Sequence, residues 1–113
     1  MKRFSDRIHN ELKAKVILNR DRYESTIENF SENGMYVRTE PIKTAVDFKP
    51  DAILGLEFQI PSGEILELNC KVKWSSKVSS DILSENLGLE IAEISPMYDN
   101  FYKSLYMSNG GGF

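Results

Sequence analysis

The chain has 113 residues, of which 41% are hydrophobic and 27% charged, as expected for one soluble globular domain. Its single cysteine excludes an internal disulfide framework, and no apolar run approaches the roughly 20 residues needed to span a bilayer. No hydrophobic segment follows the basic N-terminus, so we predict neither a signal peptide nor membrane insertion, and we expect a cytoplasmic protein.

The net charge of −3 is distributed unevenly along the chain. Residues 1–23 carry seven basic and three acidic side chains, whereas the remaining ninety residues carry seven basic and fourteen acidic ones. A basic leading segment can attract a small anion, but the acidic body would repel a long polyanion. Nucleic acid is therefore not an expected partner.

Alternating hydrophobicity predicts six strands, which in chain order cover residues 12–18, 22–30, 35–39, 54–60, 66–74 and 87–94. The dipeptide Asn33-Gly34 predicts a hairpin turn, because these residues tolerate positive φ at both central positions. Cys70 and Trp74 share the apolar parity of their strand, so core packing is expected for both. The number and spacing of the strands predict an all-β fold, a six-stranded antiparallel barrel.

One C-terminal helix is predicted over residues 96–106, with Ser95 as its cap and Pro96 in its first turn. Apolar side chains recur at helical spacing, which gives an amphipathic stripe made of Tyr98, Phe101, Tyr102 and Leu105. Such a stripe can close one end of the barrel, or it can serve as a docking face for a partner protein. The tail, residues 108–113, is predicted to be flexible.

Two short motifs carry candidate chemistry: Arg3-x-x-x-Arg7 near the N-terminus, and Asn29-x-Ser31-x-x-Gly34 at the end of a strand. Each is common by chance, but their order and their spacing by about one strand are less so. Together they resemble the signature of PilZ domains, bacterial receptors for cyclic di-GMP. The resemblance implies a PilZ-type barrel over residues 1–107, with a ligand-binding arm at 1–10. It also implies that these five residues form the ligand site.

The chemistry of the five residues agrees with that ligand. An arginine can donate two hydrogen bonds to guanine N7 and O6, lie on a purine face, or pair with a phosphate. Asn29 can accept a bond from a guanine N–H, and Ser31 can donate or accept. Gly34 would let the turn backbone approach the ligand without a Cβ.

Three further residues are candidates for the same site: Lys2, Arg38 and Gly88. Arg38 could reach a phosphate from the strand after the turn, and Gly88 lies in the last strand. In the PilZ family, the residue at the position of Lys2 influences whether one ligand or a stacked pair binds. Both stoichiometries stay open here.

No catalytic, metal or cofactor site is predicted. His9 is the only histidine and Cys70 the only cysteine, which leaves no set of nitrogen and sulfur ligands for a metal. We therefore expect a non-catalytic receptor or adaptor, monomeric or homodimeric. It would signal to a partner protein of the motility or surface-attachment (biofilm) machinery or to a regulator. The alternative is a ligand-independent protein–protein interaction domain of the same fold that has lost nucleotide binding.

Overall fold

The computed structural model of the protein describes residues 8–42, 46–78 and 83–108. Six strands and one helix follow each other along the chain: β1 (Leu12–Leu18), β2 (Asp21–Ser31), β3 (Gly34–Thr39), β4 (Ile53–Gln59), β5 (Ile65–Lys77), β6 (Glu85–Ile91) and α1 (Pro96–Ser108). Every predicted element is present, with ends that differ by a few residues. Helix α1 runs two residues beyond its predicted end.

The six strands form a closed barrel in the order β1-β2-β3-β6-β5-β4, and all neighbouring pairs are antiparallel. Strand β1 closes the barrel by pairing with both β2 and β4. The prediction of a six-stranded antiparallel barrel with one C-terminal helix is therefore confirmed. Within the described ranges, no helix has the length and apolar character needed to cross a membrane.

Strand alternation fills the interior of the barrel. In β4 the side chains of Leu54, Leu56 and Phe58 are buried, while the residues between them are more exposed. Cys70 is also fully buried, as predicted, and burial raises its pKa to about 12. The thiol is consequently neutral at physiological pH and behaves as a small apolar core residue.

Helix α1 packs against the barrel where β2 and β4 end. Its predicted cap is present, since the Ser95 hydroxyl oxygen accepts a hydrogen bond from the Tyr98 N–H at 3.1 Å. The ring of Phe101 lies 5.5 Å from that of Phe30 and 5.8 Å from that of Phe58. All four residues of the predicted stripe are buried: Tyr98, Phe101, Tyr102 and Leu105. The stripe therefore belongs to the core and is not an exposed docking face.

Positive φ occurs at turns other than the predicted Asn33-Gly34 turn, including Gly63 between β4 and β5, with φ of 96°. Asn19 and Arg20, between β1 and β2, have φ of 53° and 76°, the backbone of a two-residue turn that matches strand twist. In the turn between β2 and β3 the central residues are Glu32 and Asn33, and Gly34 already begins β3. Neither Asn33 nor Gly34 has positive φ.

Candidate functional site

The first motif, Arg3-x-x-x-Arg7, lies wholly outside the described residues, which begin at Ile8. Lys2, Arg3 and Arg7 are not within the described ranges. Ile8, the next residue after Arg7 in the sequence, forms a two-bond antiparallel bridge with Phe30. The Ile8 N–H donates to the Phe30 carbonyl at 2.7 Å, and the Phe30 N–H donates back at 2.9 Å. Ile8, which belongs to the predicted arm (residues 1–10), thus lies directly beside the second motif.

Asn29 and Ser31 lie on the outer side of the barrel. They flank Phe30, whose side chain is in the core, and successive strand residues point to opposite faces. Asn29 nevertheless has only 7% of its surface exposed, and its Oδ1 has no hydrogen-bond partner among the described residues. An unpaired buried acceptor costs about 1–3 kcal/mol. This oxygen is therefore an unfilled acceptor at the second motif.

Ser31 and Gly34 shape the turn that follows. The Ser31 hydroxyl donates to the Gly34 carbonyl oxygen at 3.2 Å, which uses its proton and leaves its oxygen able to accept. A Cβ at Gly34 would overlap the Leu89 carbonyl oxygen of β6. Gly34 therefore permits the close approach of β3 and β6, which differs from the predicted role of admitting a ligand to the turn.

Trp74 is on the outer surface, which corrects the prediction that it packs in the core. The pairing of β5 with β6 shifts between Val72 and Trp74, so Lys73 is an extra residue in β5. Such a bulge reverses the inward–outward alternation of the residues after it. Val72 is fully buried, whereas Trp74 is 40% exposed.

The Trp74 indole lies over Gly88, the neighbouring residue in β6. A Cβ at Gly88 would overlap the indole nitrogen, so only glycine leaves room for this packing. The Tyr36 ring contacts the indole edge-on, with ring centroids 5.3 Å apart and an interplanar angle of 71°. We call this exposed pair, Tyr36 and Trp74, the aromatic platform.

The platform and the second motif form one row across four strands. Asn29 pairs with Tyr36, Tyr36 pairs with Gly88, and Gly88 pairs with Trp74. Directly paired residues point to the same face, so Asn29 and the platform lie on the same, outer face of the sheet. The predicted candidate Gly88 thus lies in the middle of the row.

Two basic side chains flank the row, and each faces a carboxylate. Arg38 forms an ion pair with Glu28, the extra residue of a second bulge, in β2. The Lys73 Nζ lies 3.6 Å from Glu90 Oε1. Arg38 as a phosphate ligand stays a prediction, and it would have to exchange Glu28 for the ligand. The predicted arm carries further basic residues, Lys2, Arg3 and Arg7.

The sequence prediction missed Tyr36 and Trp74. The sequence predicts only that Tyr36 lies in a strand. Strict alternation places Trp74 in the core, because it takes no account of the bulge in β5. The sequence carries no local signal for either residue, because the bulge becomes visible only in the pairing of β5 with β6. Glu28, which pairs with Arg38, was also missed because its position depends on the bulge in β2.

Comparisons with known proteins agree with this fold. No curated protein matches the sequence. Among solved structures, the Bacillus subtilis inhibitor of motility (MotI/DgrA) superposes with a TM-score of 0.76 at 15% identity, over 98% of this chain and 53% of that one. The present chain thus spans about half the length of that protein.

A comparison with protein-family models identifies the family. Residues 1–100 match the family described as PilZ domain, a family of cyclic di-GMP receptors that are generally non-catalytic. The matched range ends within α1. The chain therefore belongs to the PilZ domain family.

Proposed function

We propose that this chain is a non-catalytic receptor for cyclic di-GMP. The ligand binds on the outer face of the barrel, between the arginine arm and the second motif, and occupancy is passed to a partner protein. The observation that carries the proposal is the buried, unpaired Oδ1 of Asn29 in one row with the aromatic platform. An acceptor without a donor can take a guanine N–H, and an exposed indole can stack on the base.

The acceptors match the donors of guanine. Asn29 Oδ1 is unfilled, and Ser31 Oγ retains lone pairs after donating to Gly34. Guanine presents N–H donors on its Watson–Crick edge, where single-stranded bases are read. Stacking of the base on Trp74 would add about 1–3 kcal/mol. Adenine offers fewer donors on that edge, so we expect selection for guanine.

The arginines of the arm supply the charge for the phosphates. Arg38 and Lys73 already face carboxylates, so Arg3 and Arg7 are the proposed phosphate and guanine ligands. The Ile8 bridge to Phe30 attaches this part of the arm to the barrel beside Asn29 and Ser31. Ligand contacts then bind the arm to the barrel and create a new surface. The proposed reader of that surface is a protein of the motility or surface-attachment machinery or a regulator.

Calorimetric titration of cyclic di-GMP tests the proposal. The wild-type protein is compared with Arg3→Ala/Arg7→Ala and with Lys49→Ala/Lys103→Ala, which removes the same charge from exposed lysines outside both motifs. We expect saturable binding by the wild type and the lysine variant, and a loss of at least about a hundredfold in the arginine variant, because each arginine makes charge-assisted bonds. The stoichiometry distinguishes one ligand from a stacked pair.

The same titration separates the proposal from its alternative. GTP and cyclic di-AMP serve as ligand controls, and quenching of Trp74 emission gives a second signal, since it is the only tryptophan. If wild-type protein binds no cyclic di-GMP, the receptor proposal is wrong and a ligand-independent interaction domain is the better description. Equal losses in both double variants would show a general charge effect and would contradict the assigned site.

A further inference from the structure

The closing helix reaches the second motif through one side chain. Tyr98, in the first turn of α1, is fully buried, and its hydroxyl donates to the Ser31 carbonyl oxygen at 2.7 Å. Ser31 is the middle member of the motif and lies far from Tyr98 in sequence. A buried bond of this kind orients the peptide group that it holds.

A second contact from the same helix supports the neighbouring residue. The Phe101 ring packs edge-on against Phe30, and the Tyr98 and Phe101 rings are 6.3 Å apart. Phe30 and Ser31 are adjacent in β2. Phe101 packs against Phe30, and Tyr98 bonds to Ser31 from the same buried face of α1. Phe30 is also the residue that pairs with Ile8 at the root of the arm. The helix thus contacts the segment that carries the motif and anchors the arm.

The Ser31 carbonyl and hydroxyl each have a hydrogen-bond partner. Its carbonyl accepts from Tyr98, and its hydroxyl donates to the Gly34 carbonyl. The lone pairs of Ser31 Oγ that remain for a ligand are consequently aimed by the turn, and the turn is held from the helix side. If Tyr98 released the carbonyl, the turn would have to be ordered again when a ligand binds, and affinity would fall.

We propose that Tyr98 is a positioning residue for the nucleotide site and couples the docking of α1 to ligand binding. This inference rests on the proposed receptor function. It adds that ligand binding affects helix α1 through the bond between Tyr98 and Ser31. Coupling between two equilibria is reciprocal. Ligand binding therefore tightens the first turn of α1, and loosening that turn weakens ligand binding by the same factor.

Tyr98→Phe tests the coupling, because it removes the hydroxyl and keeps the ring. Tyr102→Phe is the matched control: it removes a hydroxyl from a buried ring stacked on Tyr98, one turn further along the helix. We expect Tyr98→Phe to bind cyclic di-GMP about fivefold more weakly, the effect of one net hydrogen bond, and Tyr102→Phe to stay within about twofold of the wild type.

Hydrogen–deuterium exchange of α1 tests the coupling directly, because a Tyr98 that only stabilised the fold would not make exchange in α1 depend on the ligand. Saturating cyclic di-GMP should slow exchange in the first turn of α1 in the wild type, and this protection should be lost in Tyr98→Phe. Ser95→Ala is the second variant, since it removes the helix cap without touching the motif. It should weaken ligand binding even if Tyr98→Phe folds poorly.

The outcomes separate the two proposals. If the wild type binds and both Tyr98→Phe and Ser95→Ala bind equally well, the coupling is wrong while the receptor function stands. Ligand-independent exchange in wild-type α1 would also overturn the coupling. If the wild type does not bind cyclic di-GMP at all, both proposals fail together.

Discussion

Asn29 is a residue at which stability and function oppose each other. Its Oδ1 is buried without a partner among the described residues, and such a group costs about 1–3 kcal/mol. If Asn29 served only the fold, replacing it with an apolar residue of similar shape would increase the stability of the protein. The cost is understandable if a ligand N–H completes the bond, because strained or unsatisfied groups concentrate at functional sites.

Asn29→Leu separates the two effects. Because leucine has a similar shape and no unpaired oxygen, we expect the free energy of unfolding to be unchanged or raised by about 1 kcal/mol. Cyclic di-GMP affinity should fall at least about tenfold, because the guanine donor loses its acceptor. Urea denaturation and calorimetry measure the two quantities. A variant that is less stable by several kcal/mol would show that Asn29 serves the fold instead.

The residues of the site differ in how far sequence could predict them. Asn29 and Ser31 were identified because they are close together in the chain and belong to a recognisable motif. Tyr36 and Trp74 join the site only through cross-strand pairing, since they are 38 positions apart in the sequence. No local pattern around either residue states that they touch. The platform therefore required the register of three strands.

At the scale of elements, alternation predicted strands well wherever pairing was regular. Strand β1 has the predicted bounds, and β4 differs by one residue at each end. Strand β5 was predicted to end at Trp74, but it continues to Lys77 through the bulge. A bulge adds one residue whose effect appears only when the partner strand is known. Extending period two through it therefore assigned Trp74 to the wrong face.

The turns between β1 and β2 and between β2 and β3 also show where prediction from local sequence fails. The Asn33-Gly34 dipeptide predicts positive φ, but β2 extends to Ser31 and the turn falls one residue earlier. Gly34 is instead required by the approach of Leu89, a contact between strands far apart in sequence. The turn between β1 and β2 has positive φ at Asn19 and Arg20, and Arg20 is not a residue that turn statistics favour.

Gly88 leaves space on β6 for the Trp74 indole to pack against the strand. The variant Gly88→Ala tests this role. The added Cβ would overlap the Trp74 indole, so the ring must lift away from the sheet. We expect a shift in Trp74 emission and a loss of about tenfold in cyclic di-GMP affinity, since stacking is worth about 1–3 kcal/mol per base. Tryptophan fluorescence and calorimetry measure both effects.

Gly55→Ala is the matched control for that variant. Gly55 also lies within a strand, but its added Cβ would sit 3.4 Å from the Ile17 Cβ, which is a tight but tolerable contact. Emission and affinity should both stay near the wild-type values. If Gly88→Ala binds cyclic di-GMP as well as Gly55→Ala does, the platform does not contribute to the site.

At the scale of the whole molecule, barrel closure joins the core and the site in one cooperative unit. A closed barrel has no free strand edge, and the interior forms a single cluster that includes the buried face of α1. The outer row that carries the platform is therefore held by the same strands that enclose the core. Opening of the core and loss of the site are expected to occur together.

Cys70 provides a probe of that global opening, because it is the only cysteine and is fully buried. Burial raises the pKa of its thiol from 9.0 to about 12. The folded state therefore keeps the proton that the unfolded state releases above about pH 9. The stabilisation is complete below the unfolded pKa and is lost as pH rises from 9.0 toward about 12.

Comparison of the wild type with Cys70→Ala isolates this thiol. Between about pH 9.5 and 10.5 the wild type should lose about 1.4 kcal/mol more unfolding free energy than the variant, the linkage of one proton. Tyr23 also has a raised pKa, because of burial and then of Asp21, but it titrates in both proteins and cancels. Alkylation of Cys70 in native protein should be slow and should be slowed further by cyclic di-GMP. Fast alkylation that ligand does not affect would show that β5 opens locally, without unfolding of the barrel.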